Sequence, residues 1–230
     1  MINDVYITVQ SLLNKDSNGY ISPEEFNLFS QLAQQEIFNS YFTKENRDKV
    51  KKAAGMSNRG YGNLEYILRE KINQFSAEEN IAINTDKFDL PSDLYHIEDN
   101  GITTSDGKVV TEAERHIFSY LNGSSVPPSL IFPIYERYSN YIKISPDTID
   151  EINVKYIRKP KAPKWTYTVI SNQEFFNQAN GSYQDFELHP SEFANLVVRI
   201  LGYCGVSIRE EAVVQYTEQL KDKSVNQEEQ

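Results

Sequence analysis

The sequence predicts an α+β fold in which helices at the two ends pack into one bundle around an inserted β-rich segment. Three observations carry this. Apolar residues repeat at helical spacing in residues 1–78 and again in residues 171–222. They alternate with polar residues in the intervening stretch, residues 79–170. Eight Gly or Pro residues from Pro91 to Pro146 also cut that stretch into short pieces. A polar tail, residues 223–230, completes the division.

Val5, Val9, Leu12 and Leu13 share one helical face, which predicts a short helix over 3–13. Ser22, Pro23, Glu24 and Glu25 then form a strong start signal. Ser22 can accept the Glu25 amide hydrogen while the Glu25 carboxylate returns the bond, and Pro23 sits where a missing N–H costs nothing. Phe26, Phe29, Ala33, Ile37 and Tyr41 make the stripe of a second helix reaching about Phe42. Leu28 and Leu32 lie off that stripe, so this helix is expected to meet more than one neighbour. A glycine-rich loop, Gly55 to Gly62, leads to a helix from Leu64 to Phe75.

Alternation at Ile81 and Ile83, at Ile142 and Ile144, and at Ile152, Val154 and Tyr156 predicts half-buried strands. A helix from Thr111 to Leu121 is expected to interrupt them. Pro160 and Pro163 exclude a central strand just before the single tryptophan, Trp165. Phe193, Leu196, Val197, Ile200, Leu201 and Cys204 then predict a helix that Gly205 should stop, and a last helix is expected from Arg209 to Leu220.

Across 230 residues, 23 Lys and Arg face 33 Asp and Glu, a net charge of −10. Such a chain repels phosphate backbones, which argues against a nucleic-acid-binding module. An apolar fraction of 39 % excludes wholesale disorder. One cysteine, Cys204, excludes an internal disulfide framework and a cysteine-based zinc site. No apolar run reaches 18 residues and the first ten residues carry no basic leader, so neither a membrane span nor a signal peptide is expected.

The sharpest local motif is Asn14 to Glu25, NKDSNGYISPEE, which aligns with the calcium loop of an EF-hand. Asp16 and Asn18 take its third and fifth positions, Gly19 the sixth, Tyr20 the seventh through its carbonyl, and Glu25 the twelfth. The first position holds Asn14 where such loops need Asp, and no second loop follows. A helix cap with no metal and a calcium-binding interaction module are the two readings of this segment. His96, His116 and His189 lack partners at metal-ligand spacing, and a surface or capping role is expected of them. No nucleophile motif or phosphate-cradling loop occurs, so no catalytic role is expected; an acidic-site hydrolase ranks third among the possible functions. Tyr135, Tyr138 and Tyr141, with Trp165, are either ordinary strand packing or a protein interface.

Taken in order, four segments resemble structural proteins of crAss-like phages and related short-tailed phages. VQSLLNKDSNGYISPEEFNLFSQLAQQEIFNSYF is similar to their N-terminal segment. FDLPSDLY and IKISPDTIDEINVKYIRKPKAPKW resemble the β-rich part, and ELHPSEFANLVVRILGYCGVSIREEAV the closing helices, of head–tail adaptor proteins. The resemblance implies a head–tail connector ring, usually of twelve copies, docked beneath the portal protein and next to further connector or tail rings. It implies DNA passing through the lumen without specific binding, a place in the virion neck after assembly in the host cytoplasm, no membrane, no cofactor and no catalytic residues.

Overall fold

The computed structural model describes residues 1–17, 19–53, 64–171 and 173–208. The chain divides into two compact units, Met1–Lys71 with Pro160–Gln230, and Ile72–Lys159.

In the first unit, α1 (Ile2–Ser17) and α2 (Pro23–Ala53) run longer than their stripes predict. Both pack on α5 (Phe193–Ile208). Ile2, Val5, Val9, Phe26, Ala33, Ile37, Leu196 and Ile200 are the buried seam. The capping box forms: Ser22 N–H and Oγ donate to the Glu25 carboxylate at 3.1 and 2.9 Å, and Glu25 N–H donates to Ser22 Oγ at 3.3 Å. The N-terminus of α1 is capped from far along the chain, where Asp185 accepts the Ile2 N–H at 2.8 Å.

Two polar side chains of α2 hold extended chain against the helix. Asn27 accepts the Trp165 N–H at 2.7 Å and donates to the Trp165 carbonyl at 3.1 Å, as a neighbouring strand would. Two turns further on, Gln34 donates to the Lys161 carbonyl at 2.7 Å and accepts the Glu187 N–H at 3.0 Å. Pro160 and Pro163 keep this chain out of a sheet, and the amides satisfy its backbone instead.

Helix α3 (Leu64–Asn73) spans the junction of the two units. The second unit contains β1 (Ser76–Ala82), β2 (Phe88–Asp89), β3 (Leu94–Thr104), β4 (Thr111–Glu112), α4 (Arg115–Asn122), β5 (Ile134–Arg137), β6 (Tyr141–Ser145) and β7 (Glu151–Arg158). One sheet has the order β1-β7-β3 and the other β2-β6-β5-β4, with only the β4–β5 pair parallel. Ile97 and Ile102 of β3, Ile152, Val154 and Tyr156 of β7, and Ile142 and Ile144 of β6 enclose one core with Phe88. Sequence alternation locates β6 and β7, where buried residues recur at every second position, whereas β1 buries no side chain and only half-buries Ala77 and Ile81.

β3 is bulged: Ile97 opposes Tyr156 and Ile102 opposes Val154, so four residues face Lys155 alone. Asn100 takes a left-handed φ of 56°, and the backbone at Gly101 closes on its surroundings. A Cβ at Gly101 would stand 2.5 Å from the Lys155 carbonyl oxygen and 2.7 Å from that of Glu98. Gly101→Ala should therefore cost about 2–3 kcal/mol. Hydrogen exchange of the β7 amides checks this, and an unchanged protection pattern would refute it.

The predicted architecture, a helical bundle holding a small β insert, is corrected by these observations. The molecule is a mixed α/β protein, β-rich, with strands in three sheets among the described residues. The third sheet lies in the first unit, where β8 (Tyr167–Ile170), at the end of the segment expected to be β-rich, forms a hairpin with β9 (Gln173–Phe176), in chain assigned to the closing helices. Thr168, Val169 and Ile170 are β-branched, and they pair because Tyr167 and Phe176 can then stack on Trp165. Thr111 and Glu112 are likewise strand: the Thr111 and Ala113 N–H groups donate to the Pro133 and Tyr135 carbonyls, which delays α4 to Arg115. Helix α5 continues through Gly205, which is buried inside it. The expected helix from Arg209 to Leu220 and the loop from Gly55 to Gly62 lie outside the described residues.

Candidate functional site

In the loop from Asn14 to Glu25, residues 14–17 are still helical, so the connection to α2 is shorter than a twelve-residue calcium loop. Asn18 and the side chain of Asp16 lie outside the described residues. Glu25 is committed to the Ser22 cap, and Tyr20 points its hydroxyl at Glu174, donating at 2.9 Å. Partial burial and then the Glu174 carboxylate push that phenol up to about 12. Among the described residues, no group of three or more His, Cys, Asp or Glu is placed to hold a metal ion. His189 accepts the Ser191 N–H at 3.2 Å and caps the turn Pro190–Glu192, while His116 is exposed beside Glu114.

The tyrosines form a different constellation. Tyr138 and Tyr141 stack with ring centroids 4.5 Å apart. The Arg115 guanidinium lies 4.7 Å from the Tyr138 centroid, and the Lys87 ammonium 5.0 Å from that of Tyr141. Two stacked rings are thus closed at either end by a cation, each attracted to a ring face. Glu136, buried, fixes Arg115 at 2.8 Å, and Asp89 lies 3.4 Å from Lys87. Tyr135 turns inward from this ladder and donates to Glu112 at 3.2 Å; burial, then Glu112, pushes its phenol up to about 12. Tyr156 behaves alike, its buried hydroxyl donating to Asp93 at 3.2 Å.

Trp165 belongs to the first unit and is buried. Tyr6 stacks on it at 4.1 Å, and its indole N–H donates to Asn3 at 3.1 Å.

Two further sets escaped sequence reasoning. Glu192, 5 % exposed, accepts from Lys71 at 2.6 Å and from Asn195 at 2.9 Å. Nearby, Glu36 of α2 pairs with Arg199 and accepts from Tyr203 of α5 at 3.0 Å. The second set is the loop between α4 and β5, where Val126, Leu130, Ile131 and Phe132 are 81, 52, 62 and 77 % exposed. No period marks it, and its only sequence signal is apolar residues crowded around prolines.

Cys204 is 1 % exposed, and burial first, with the Glu25 carboxylate second, pushes its thiol up to about 12. A disulfide-based thiol reagent should leave it untouched at neutral pH until denaturant is added. Stoichiometric labelling of the native chain would contradict that placement.

No protein-family profile and no curated protein matches this chain.

Proposed function

We propose that this chain is a virion structural protein, one subunit of an oligomeric ring in a phage head–tail connector. In this reading the ring sits below the portal protein, joins capsid to tail, meets the adjacent connector or tail ring on its far side, and continues the DNA channel. The observation that carries the reading beside the sequence resemblance is apolar surface left uncovered on both units. Leu28 and Leu32 of α2 are 55 and 46 % exposed, and the loop between α4 and β5 exposes four large side chains. A closed ring needs such surface, because each subunit covers a neighbour's patch with its own. Twelve copies follow from the resemblance.

The charge of −10 suits a lumen through which DNA slides, since a basic wall would hold the phosphates. The protein then belongs to the neck of the virion and performs no chemistry of its own. Quantitative mass spectrometry of a purified portal–neck complex tests this. Equal copy numbers of this chain and the portal subunit are expected, and absence of the chain from the complex would sink the proposal. Retardation of duplex DNA at physiological salt would count equally against it.

A further inference from the structure

We infer that the loop between α4 and β5 is the docking element by which one copy of this chain grips the next, seated on the Leu28–Leu32 face of the neighbour's α2. This rests on the ring reading and names the contact within it. The loop is built to be presented. Gly123 N–H donates to the Ser119 carbonyl at the end of α4, and Pro133 is buried where its carbonyl accepts the Thr111 N–H. Inside, Ser124 Oγ accepts the Val126 N–H and donates to the Val126 carbonyl, and Phe132 N–H closes a turn on Ser129. With Pro127 and Pro128 stiffening it, the loop loses little conformational freedom on binding. Its apolar side chains nevertheless point to solvent.

Charge selects the occupant. Residues 116–135 contain no Asp, Glu, Lys or Arg, the longest such run in the chain. A partner bearing phosphates, whether nucleic acid or anionic lipid, needs cations that this segment does not offer. A second copy carries −10 and is repelled at most faces, but a neutral apolar loop can approach it. The neighbour's α2 offers a matching surface: Leu28 and Leu32 one turn apart, beside the acidic first turn of Glu24 and Glu25, which disfavours an acidic visitor. Loop and helix face are different patches, so a chain of copies in which each loop meets the next copy's α2 is head-to-tail, the kind of contact that generates rings.

Area fixes the strength. Four side chains at these exposures present on the order of 500 Å², below the ~800 Å² per partner of a standard interface. One contact is therefore too weak to hold a pair in dilute solution, while a closed circle of them holds together.

Disulfide trapping tests the contact, because weak encounters accumulate as covalent product and the native thiol of Cys204 is buried. Phe132→Cys protein is mixed under mild oxidation with Leu28→Cys or with Leu32→Cys protein. The expected product is a mixed dimer with at least one of the two α2 variants, at a yield several-fold above either protein alone. Predominant Phe132→Cys homodimers, or no mixed product, overturn the inference. Flotation of the unmodified chain with neutral phosphatidylcholine vesicles, abolished by Phe132→Ser, also overturns it and makes a membrane the occupant. A ring found in the neck without the mixed disulfide retires this contact and leaves the ring reading standing; no ring at all retires both.

Discussion

Lys71→Ala is expected to lower stability by about 3–5 kcal/mol, the largest effect of any single charge removal. The reason is the carboxylate it strands. Glu192 is 5 % exposed and sits at the entrance to α5, 2.6 Å from the Lys71 ammonium. Burial works to raise its carboxyl; the hydrogen bonds from Lys71 and Asn195 outweigh burial and leave it below the usual carboxylate range. A group depressed in the folded state contributes stability that is present above its unfolded value, about 4.5, and lost as pH falls through the folded one. In Lys71→Ala only burial and the weaker partners remain, so the same carboxyl rises and protonation relieves the fold. The stability gap between the two proteins should therefore be widest near neutrality and narrow on acidification. Urea titrations followed by the fluorescence of Trp165, which lies in the same unit as this pair, measure it. A pH-independent gap would refute the electrostatic explanation. Lys71→Met combined with Glu192→Leu should recover much of the loss, since an apolar pair leaves no charge uncompensated.

Trp165→Ala should cost a similar ~3–5 kcal/mol, by a different route. The indole is sandwiched by Tyr6 at 4.1 Å and flanked by Tyr167 and Phe176 at 5.7 and 6.0 Å, so its removal opens a cavity lined by aromatic rings. Hairpin β8–β9 has only two strands and depends on this stack, because an isolated hairpin is marginal in water. Far-UV circular dichroism through a urea titration should show a lower midpoint with an unchanged slope. Trp165→Phe should retain most of the stability, losing mainly the bond to Asn3. Equal losses in the two variants would show that ring packing is not what Trp165 contributes.

How far the sequence could be read follows from these same residues. Helices α1, α2 and α5 and strands β6 and β7 are legible because each buries a regular set of apolar side chains. Their ends are less legible. α2 extends to Ala53 past the last stripe residue, and α5 passes Gly205 because tertiary burial overrides propensity there. The fold class is not legible at the hairpin: residues 168–170 close the stretch that reads as β-rich, but their partner strand, Gln173–Phe176, has no alternation and falls in the segment that reads as helical. Asn27 and Gln34 were unreadable for a simpler reason. A polar residue off the stripe looks solvated, and only the fold reveals that a proline-restricted segment comes to rest on it. The tyrosine ladder was half legible. Tyr138 and Tyr141 are neighbours in sequence, but Lys87 and Arg115, which close the stack, come from elsewhere in the second unit. The exposed loop after α4 is illegible because aperiodic apolar residues carry no secondary-structure signal.

A ring subunit must share this surface with identical neighbours. A cryo-electron microscopy map of the assembled particle decides that directly. The prediction is a closed ring of this chain coaxial with the portal, the loop of every copy lying against α2 of the next. Isolated copies elsewhere on the particle, or a neck in which no two copies touch, would contradict it.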